Sequence, residues 1–471
     1  MTTQSTIEKN QKLLLEKKAS MRELVDAYLK TIQKYDGVLN SFITVNNEIS
    51  LKKADLVDKL LSKNDKVSIL SKLPLLGTVV SYKDLFLTKG IRTTAASKVL
   101  ESFVPQYSAT VVDKLENAGC INIGKTNCDA WAHGSSGENS DYGVTKNPWG
   151  VEYVPGGSSS GSAVSVSANM CTVSLGTDTC GSIRLPANYT YTYGLKPTYG
   201  AVSRYGVIAM ASSLDCIGHF SKTAADIKKV FEITKGRDLK DATLDEKSYN
   251  KKLTNMVIGV PDEFFQNGLS DEVSLNIKKA ISLFEKNGVK FNKINLPHTK
   301  YGISVYYIIQ PAEVSSNLSR YDGIRYGKGR DAFSEEAKRR IMLGTYVLSS
   351  GYYDAYYLKA MKVRSVIIRE IDQAFKSCDA IIAPVSTTPP FKLGEKISDP
   401  LKMYLTDIYA ATANLAGIPS LAIPFGFTND GMPLGFQIMG PRYSENLLFH
   451  LAENFEAYSN YTIKNPDIYN L

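Results

Sequence analysis

The sequence predicts an α/β fold built on a parallel or mixed sheet. Short β-rich runs alternate with stretches of helical periodicity along the 471 residues, and such alternation is typical of a sheet covered by helices. The composition supports a globular chain, because 43% of the residues are hydrophobic and 22% are charged. This balance excludes a disordered chain, and the length is sufficient to bury a large core.

The N-terminal part of the chain is predicted to be helical over residues 6–63. Ser20 is a predicted N-cap for a helix over 21–35, where apolar residues recur at helical spacing. A helix is also predicted over 109–118. The first predicted strands are 78–82, 120–123 and 171–175.

The second half of the chain continues the alternation. Ser270 is a predicted N-cap for a helix that ends before Gly288. The other predicted strands are 256–260, 380–385, 421–425 and 436–439. The other predicted helices are 334–348, 354–375 and 407–416.

Charge, cysteine and histidine content limit the classes of function. The net charge of +8, from 55 basic and 47 acidic residues, permits a polyanionic partner without requiring one. None of the six cysteines stands in a C-x-x-C pair, and the four histidines form no H-E-x-x-H or H-x-x-H pattern. No metal site is therefore indicated, and reduced thiols are expected. No apolar run reaches the length of a membrane span, so we expect a soluble intracellular protein.

Three short segments carry residues suited to catalysis. Residues 81–84 read Ser-Tyr-Lys-Asp at the end of a predicted strand. Residues 155–162 read Pro-Gly-Gly-Ser-Ser-Ser-Gly-Ser, and residues 176–184 read Gly-Thr-Asp-Thr-Cys-Gly-Ser-Ile-Arg. Small residues let several backbone N–H groups converge on one ligand oxygen, as an oxyanion site requires.

The glycine loop at 155–162 has three interpretations from its residues alone. A phosphate-binding loop would need a lysine after Gly161, and none is present. The loop matches G-x-S-x-G formally, but a nucleophile elbow needs a preceding strand and a histidine partner. Gly150 and Pro155 make the preceding residues a poor strand. The third interpretation is a flexible surface turn.

A serine nucleophile also needs a base, and Lys83 is the natural candidate because histidine is scarce. A lysine can act as a base only when its pKa is lowered by burial or by nearby positive charge. The apolar neighbours of Lys83 in the predicted strand suit burial. The alternative is a structural lysine that forms a salt bridge with Asp84.

Together, Lys83 and the two small-residue loops resemble the amidase signature family. The 24-residue offset from Ser158 to Ser182 matches that family's pair of serines. The resemblance implies an amidase-signature fold, with a mixed sheet covered by helices on both faces. Residues 66–471 would form the amidase-signature domain, and residues 1–65 a helical segment that belongs to the same compact unit.

The family resemblance also implies catalytic roles for individual residues. Ser182 would be the acyl nucleophile, and Ser158, held by a cis peptide after Gly157, would relay protons. Lys83 would be the terminal base and acid. The oxyanion hole would consist of backbone N–H groups, those of Thr179, Cys180, Gly181 and Ser182.

Further motifs are similar to one branch of that family, the A subunits of glutamyl-tRNA amidotransferases. They include Gly-Lys-Thr-Asn-Cys-Asp at 124–129, Arg-Arg-Ile-Met-Leu-Gly-Thr at 339–345 and Asp-Ile-Tyr at 407–409, and the likeness runs from about Leu73 to Ala457. Such subunits hydrolyse glutamine and send ammonia to a partner. The resemblance therefore implies glutamine as substrate, with the amidotransferase B subunit and the small C subunit as partners.

The same resemblance implies a division of labour between subunits. No cofactor would bind this chain, and ATP and Mg would be used by the partner subunit, which amidates Glu-tRNA(Gln) or Asp-tRNA(Asn). Charged tRNA would be contacted mainly through the partner. The implied location is a bacterial-type cytoplasm, rather than an organelle matrix or a membrane.

Glutamine presents an α-carboxylate and an α-ammonium, so selectivity calls for a fixed cation and a fixed anion. Matching family positions imply that Arg340 binds the carboxylate and Asp407 the ammonium. They also imply that Tyr306 lines the same pocket. The alternatives are a helix-surface role for Arg340 and a helix N-cap role for Asp407.

Two other functions stay open at this point. One is a free-standing amidase for other small amides, which would not need a pair of residues for an amino-acid head group. The other is a catalytically degenerate scaffold subunit. Ser160, Cys180 and Tyr191 suggest the scaffold, because they depart from the family pattern near the expected site, whereas the intact catalytic residues argue against it.

Overall fold

A sheet of 11 strands runs through the protein. The structure is a computed structural model, and it describes residues 5–63, 66–251, 253–265, 268–324, 327–396, 403–404, 406–466 and 468. The strands are β1 (Phe42–Val45), β2 (Val79–Lys83), β3 (Ile121–Thr126), β4 (Val173–Asp178), β5 (Tyr193–Lys196), β6 (Cys216–Ser221), β7 (Val257–Pro261), β8 (Lys290–Ile294), β9 (Ala380–Ala383), β10 (Ser420–Phe427) and β11 (Pro433–Met439).

The strand pairing makes the sheet mixed. The order across it is β1-β3-β2-β4-β6-β5-β10-β11-β9-β7-β8. β2 is parallel to β3 and β4, and β7 is parallel to β8 and β9. The other neighbouring pairs are antiparallel. The predicted α/β class with a mixed sheet is confirmed.

Fourteen α-helices of the described ranges surround the sheet. They are α1 (Thr6–Leu15), α2 (Met21–Leu39), α3 (Asn47–Lys63), α4 (Lys66–Lys72), α5 (Thr110–Asn117), α6 (Ser160–Ser167), α7 (Arg184–Tyr189), α8 (Ala224–Thr234), α9 (Asp271–Lys286), α10 (Gly302–Leu318), α11 (Glu335–Val347), α12 (Lys359–Ala374), α13 (Ala411–Ala416) and α14 (Glu445–Ser459).

Helices cover both faces of the sheet, as expected for the amidase-signature fold. Successive side chains of a strand point to opposite faces. In β2, Val80 and Tyr82 belong to an apolar cluster that includes residues of α5, α8, α9 and α14. Val79, between Thr78 and Val80, belongs to a second cluster with residues of α2, α6 and α7. The core therefore consists of two apolar layers separated by the sheet.

The predicted helix starts at Ser20 and Ser270 are confirmed. The Ser20 side chain accepts a hydrogen bond from the N–H of Glu23, whose carboxylate accepts the N–H of Ser20 in return, which is a capping box. The Ser270 side chain accepts the N–H of Val273. The following helix ends at Lys286, and Gly288 adopts a φ of +85°, which glycine tolerates at a helix end.

Two helical predictions need correction. Residues 6–63 are not continuously helical, because β1 interrupts them with Phe-Ile-Thr-Val, and this strand pairs antiparallel with β3. The helix predicted over 407–416 begins only at Ala411, and Asp407 lies in the preceding turn. The Asp407 side chain faces a serine from another loop instead of capping the helix.

The N-terminal segment packs on the rest of the protein through several elements. The Ser50 hydroxyl donates to the carbonyl of Asn122 at 2.7 Å, and Tyr28 hydrogen-bonds Thr172 at 3.1 Å. The predicted boundary at residue 65 lies outside the described residues. In the described part of the chain, no helix is both long enough and apolar enough to cross a membrane.

The strand order also determines where chemistry can occur. β2 and β4 are adjacent and parallel, so their carboxyl ends meet at one edge of the sheet. Lys83 ends β2, and Asp178, inside the second small-residue segment 176–184, ends β4. Loops at the carboxyl ends of parallel strands commonly carry active sites. The sheet thus brings two of the three motif segments together.

Candidate active site

Lys83 is fully buried at the end of β2 and faces only uncharged oxygens. Its Nζ lies 2.7 Å from Ser158 Oγ, 2.9 Å from Thr177 Oγ1 and 3.1 Å from Ser159 Oγ. Burial lowers the pKa of Lys83 to about 8, although distant carboxylates such as Asp129 act in the opposite direction. A lysine in this setting has a substantial neutral fraction near physiological pH.

Asp84, the next residue, takes no part in this contact. Its carboxylate accepts hydrogen bonds from the backbone and the hydroxyl of Thr94, at 2.7 and 2.5 Å. It also lies 3.1 Å from the ammonium of Lys125. The alternative of a Lys83–Asp84 salt bridge is therefore wrong, because the Asp84 carboxylate pairs with Lys125 and Thr94 instead.

The glycine loop places Ser158 beside Lys83. The peptide between Gly157 and Ser158 is cis, and Ser158 is fully buried. The Ser158 carbonyl accepts the N–H of Asp129 at 3.1 Å. A Cβ on Gly157 would lie 2.1 Å from an Asp129 carboxylate oxygen, so only glycine fits here. The loop is buried and no strand precedes it, so it is neither a flexible surface turn nor a nucleophile elbow.

The turn after β4 holds Ser182, whose residue surface is 8% exposed. The Asp178 carboxylate accepts the N–H groups of Gly181 at 2.7 Å and of Ile183 at 3.2 Å. Arg184 pairs with the same carboxylate at 3.1 Å. The Ser182 carbonyl accepts the N–H of Ser159 at 3.3 Å. These bonds tie residues 179–183, here named the nucleophile turn after the role predicted for Ser182, both to β4 and to the glycine loop.

The predicted oxyanion donors are not equivalent in this turn. The N–H of Gly181 is already used by Asp178. The N–H groups of Thr179, Cys180 and Ser182 form no hydrogen bond with any residue that the structure describes. Backbone donors left without a partner beside a serine are suited to stabilise a developing oxyanion. Three of the four predicted donors thus remain available to a ligand.

Cys180 is buried beside this turn, and burial raises the pKa of its thiol well above the ordinary value. A thiol in this state is a poor nucleophile. The other five cysteines are also buried and free. These observations favour the interpretation of Cys180 as a small filler of space.

Arg340 and Asp407 both lie buried on the side of the nucleophile turn. Arg340 Nε donates to Glu336 at 2.8 Å and Nη1 donates to Gln310 at 2.8 Å. The Asp407 carboxylate accepts the hydroxyl of Ser135 at 2.5 Å. A Cβ on Gly181 would lie 3.8 Å from Asp407 Oδ1, which places this carboxylate against the nucleophile turn. Neither residue has the exposed or capping role considered as an alternative.

The carboxyl group of Asp407 is only partly ionised near neutral pH. Burial raises the pKa of Asp407 to about 7, and the Ser135 hydroxyl and the charge of Arg340 act against this rise. A buried carboxylate that is half ionised near neutral pH gains from a cationic partner. Asp407 is thus suited to accept an ammonium group.

A cavity of about 220 Å³ lies beside Arg340. Its walls include His133, Ser135, Tyr307 and Tyr404. The Arg340 guanidinium stands 5.4 Å from the centre of the Tyr307 ring. Tyr306, the predicted pocket residue, lies one position away in the apolar cluster that also contains Cys180.

A second cavity, of about 230 Å³, approaches Lys83 from another side. Its walls include Thr177, which accepts a hydrogen bond from Lys83, and Asp215. Further out they include Arg204, Lys240 and Asp241. This cavity shares no lining residue with the cavity beside Arg340, and Thr177 connects it to Lys83.

Several residues of the site were not predicted from the sequence. Ser159 and Thr177 lie in the two small-residue loops, so the motifs could have indicated them. Glu336 stands four residues before Arg340 on one helix, a spacing that predicts contact. Ser135 and Tyr307 carried no local signal. In the residues that the structure describes, no group of three or more His, Cys, Asp or Glu side chains could hold a metal ion.

The chain matches known proteins over nearly its whole length. The family model described as Amidase matches residues 23–449. The A subunit of glutamyl-tRNA(Gln) amidotransferase from Koribacter versatilis is 45% identical, and the match covers 96% of this chain and 98% of that protein. The A subunit from Alkaliphilus metalliredigens is 46% identical, with 94% of each chain covered.

A solved structure extends the likeness to three dimensions. The crystal structure of the glutamyl-tRNA(Gln) amidotransferase A subunit from Thermotoga maritima is 41% identical and superposes with a TM-score of 0.82, covering 98% of this chain and 96% of that one. The structure of 6-aminohexanoate cyclic dimer hydrolase shares the fold, with a TM-score of 0.87 at 21% identity. The family model and the full-length relatives together show that the chain belongs to the amidase family.

Proposed function

We propose that this chain is the glutaminase subunit of a glutamyl-tRNA(Gln) amidotransferase. The observation that carries the proposal is the 2.7 Å contact between Lys83 Nζ and Ser158 Oγ in a fully buried site. The next residue, Ser159, donates its N–H to the carbonyl of Ser182 and so links this contact to the second serine. The names of the relatives, at more than 40% identity over nearly the whole chain, support the choice of substrate and complex.

In the first step, Ser182 Oγ attacks the side-chain amide carbon of glutamine. Its proton passes to Ser158, whose own proton passes to neutral Lys83. The carbonyl oxygen becomes an oxyanion, and the unpaired N–H groups of Thr179 and Cys180 would stabilise it. When the C–N bond breaks, Lys83 returns the proton through Ser158 to the leaving nitrogen, which departs as ammonia and leaves a glutamyl ester on Ser182.

The second step repeats the same proton path with water. Water donates a proton towards Ser158 and Lys83 as its oxygen attacks the ester carbon. The C–O bond to Ser182 then breaks, and the proton returns to Ser182 Oγ. Glutamate is released and the enzyme regains its starting state. One lysine thus serves as base and acid in both steps.

Arg340 at the 220 Å³ cavity, and Asp407 hydrogen-bonded to the cavity residue Ser135, support glutamine over simpler amides. We assign the α-carboxylate to Arg340, whose Nη2 has no hydrogen bond with a described residue, and the α-ammonium to Asp407. A free-standing amidase for uncharged amides would not need two buried charges here, because each costs solvation energy. The stacked Tyr307 and Tyr404 rings would form part of the wall.

Ammonia would leave for a partner, and the 230 Å³ cavity at Thr177 supports a route from Lys83 to the surface. In the complex, the B subunit would activate the tRNA-bound carboxylate with ATP and Mg²⁺, and the small C subunit would complete the assembly.

Ala209 lines the 230 Å³ cavity. Ala209→Phe should therefore leave glutamine hydrolysis intact but lower glutamine-dependent amidation of tRNA several-fold. Amidation with added ammonium chloride should be unchanged, and an equal loss with both nitrogen sources would contradict the route.

The decisive experiment is glutamine hydrolysis by the chain, alone and with its partner subunits and charged tRNA. Ser182→Ala should lower kcat by about 10⁴-fold or more, because the nucleophile is lost, while the exposed Ser350→Ala should change nothing. An electrophilic glutamine analogue should label Ser182. Label on Cys180 would overturn the assignment of the nucleophile.

The same assays separate the alternatives. A degenerate scaffold subunit would show no turnover even within the complete complex. A free-standing amidase would hydrolyse simple amides as well as it hydrolyses glutamine, and its turnover would not respond to the partner subunits. Substantial glutamine turnover by Ser182→Ala would rule out the proposed chemistry itself.

A further inference from the structure

His133 stands out among the four histidines because neither of its ring nitrogens has a partner. His219, His298 and His450 each have a ring nitrogen hydrogen-bonded to a neighbouring side chain. His133 is fully buried, and neither Nδ1 nor Nε2 meets a polar atom of the described residues. A buried polar group without a partner is costly, so such groups often mark a ligand or a function.

The backbone holds His133 firmly at the wall of the 220 Å³ cavity. Its N–H donates to the carbonyl of Ala130 at 2.9 Å, and its carbonyl accepts the Asn139 side chain at 2.6 Å. Ser135, two residues on, donates to Asp407, and Arg340 lines the same cavity. The unpartnered imidazole therefore belongs to the region assigned above to the amino-acid head group of the substrate.

The electrostatic environment determines what His133 can offer a ligand. Burial, and then the positive charges of Arg340 and Lys83, hold the pKa of His133 well below its ordinary value. The ring is thus neutral, with one N–H donor and one acceptor nitrogen. A positively charged setting favours an anionic partner for the N–H, and a carboxylate is the anion that glutamine carries.

We propose that His133 is a third recognition residue for the head group of glutamine, donating a ring N–H to the α-carboxylate beside Arg340. The proposal rests on the function proposed above. The neutral donor would add a directed hydrogen bond to the charge of Arg340 without adding a second buried cation. The α-ammonium would bind Asp407, which Ser135 holds in place. The carboxylate and the ammonium would thus each have their own partners.

The test compares two substrates that differ only in this carboxylate, glutamine and 4-aminobutanamide. His133→Leu removes the donor, and His133→Gln keeps an N–H donor on a side chain of similar reach. We expect His133→Leu to raise KM for glutamine about 10- to 100-fold, as expected for a hydrogen bond to a charged group, with kcat changed much less. His133→Gln should recover part of the loss. For 4-aminobutanamide, kcat/KM should change less than about twofold.

Controls distinguish this inference from the proposed function. Arg340→Met should show the same dependence on the substrate carboxylate, and His450→Gln, at a partly exposed histidine, should behave as wild type. Thermal melting would verify that each variant is folded. An equal loss on both substrates, or no loss with glutamine, would overturn the role of His133 while Ser182→Ala remained inactive. If Ser182→Ala kept its activity, the proposed function would fail instead.

Discussion

At the scale of single residues, the charge of Lys83 decides whether the serine pair can work. A solvated lysine has a pKa of about 10.4 and is almost fully protonated at neutral pH. Burial disfavours the charged form and lowers the pKa of Lys83 to about 8. Among the described residues no carboxylate pairs with it directly, and the hydroxyls of Ser158, Ser159 and Thr177 are its hydrogen-bond partners. The lowered pKa of Lys83 therefore results from its burial without a direct ion-pair partner among the described residues.

This charge state predicts the pH dependence of the reaction. Lys83 must be neutral to accept a proton, so kcat/KM for glutamine should rise with pH towards an apparent pKa near 8 and fall again once the α-ammonium of the substrate loses its proton. Asp407 must be ionised to bind an ammonium, and burial raises the pKa of Asp407 to about 7. Its ionisation acts in the same direction, so the profile should steepen below about pH 7. A profile measured from pH 6 to 10 would check both expectations.

Lys83→Arg is the matched variant for this pH prediction. Arginine keeps its charge and cannot accept a proton, so kcat should fall about 10²- to 10⁴-fold, the usual contribution of a general base. Lys83→Met should be equally impaired while remaining folded. Substantial activity of Lys83→Arg would mean that the residue is only a structural cation.

The sequence predicted residue types better than residue partners. Lys83, Ser158 and Ser182 could be indicated because each lies in a short motif. The pairing of Asp84 with Lys125, across 41 positions of sequence, could not, because it depends on the parallel register of β2 and β3. The use of the Gly181 N–H by Asp178 likewise depends on the exact turn geometry.

At the scale of elements, the turn between β4 and α7 is held by a buried ionic network. Arg184 donates to Asp178, to Gln437 at 2.8 Å and to Asn414 at 2.6 Å. Burial acts to raise the pKa of Asp178, but Arg184 outweighs that effect and lowers the pKa to about 2. The network connects the nucleophile turn to β11 and α13, so these two elements, together with β4 and α7, fix the position of Ser182.

Arg184→Met should destabilise the protein strongly. It leaves the Asp178 carboxylate buried without its cation, and breaking a buried ion pair on one side costs about 3–5 kcal/mol. Urea denaturation would measure this loss as a lower midpoint with an unchanged slope. The comparison is Arg22→Met, which breaks an exposed salt bridge with Asp55 and should have little effect. Equal stability of the two variants would show that the network does not hold the turn.

Elements near the site were the hardest to predict from the sequence. α6 contains serine and glycine and is buried on all sides, so it lacks the apolar stripe by which an amphipathic helix is recognised. β5 and β6 contain glycine at positions where they face Ile183, and glycine lowers strand propensity. Close packing around the nucleophile turn thus selects small residues that show no helix or strand pattern, whereas the sequences of β7 and β9 are recognisable as strands.

At the scale of the whole molecule, the N-terminal segment is joined to distant parts of the chain by polar contacts as well as by the core. The Asp226 carboxylate, fully buried at the start of α8, accepts the Ser5 hydroxyl at 2.5 Å and the N–H groups of Thr6 and Ile7 at 3.0 and 3.1 Å. These are the first donors of α1, which otherwise lack partners at a helix start. We propose from this that the segment 1–65 and the remainder fold as one cooperative unit.

A variant at Asp226 tests this proposal, because it releases the segment without touching the active site. Asp226→Ala leaves three donors at the start of α1 unpaired, and an unsatisfied buried group costs about 1–3 kcal/mol. Trypsin should then cut after Lys17 or Lys18, between α1 and α2, about 10- to 100-fold faster, because cleavage follows the population of the locally opened state. Glu48→Ala, at an exposed acid of the same segment, should leave the rate unchanged.

If the segment is part of one unit, urea should unfold the wild type in a single transition, seen alike by tryptophan fluorescence of Trp131 and Trp149 and by cleavage at Lys17. Two separate transitions, with the fluorescence change preceding or following the cleavage, would show instead that the N-terminal segment is an independent domain.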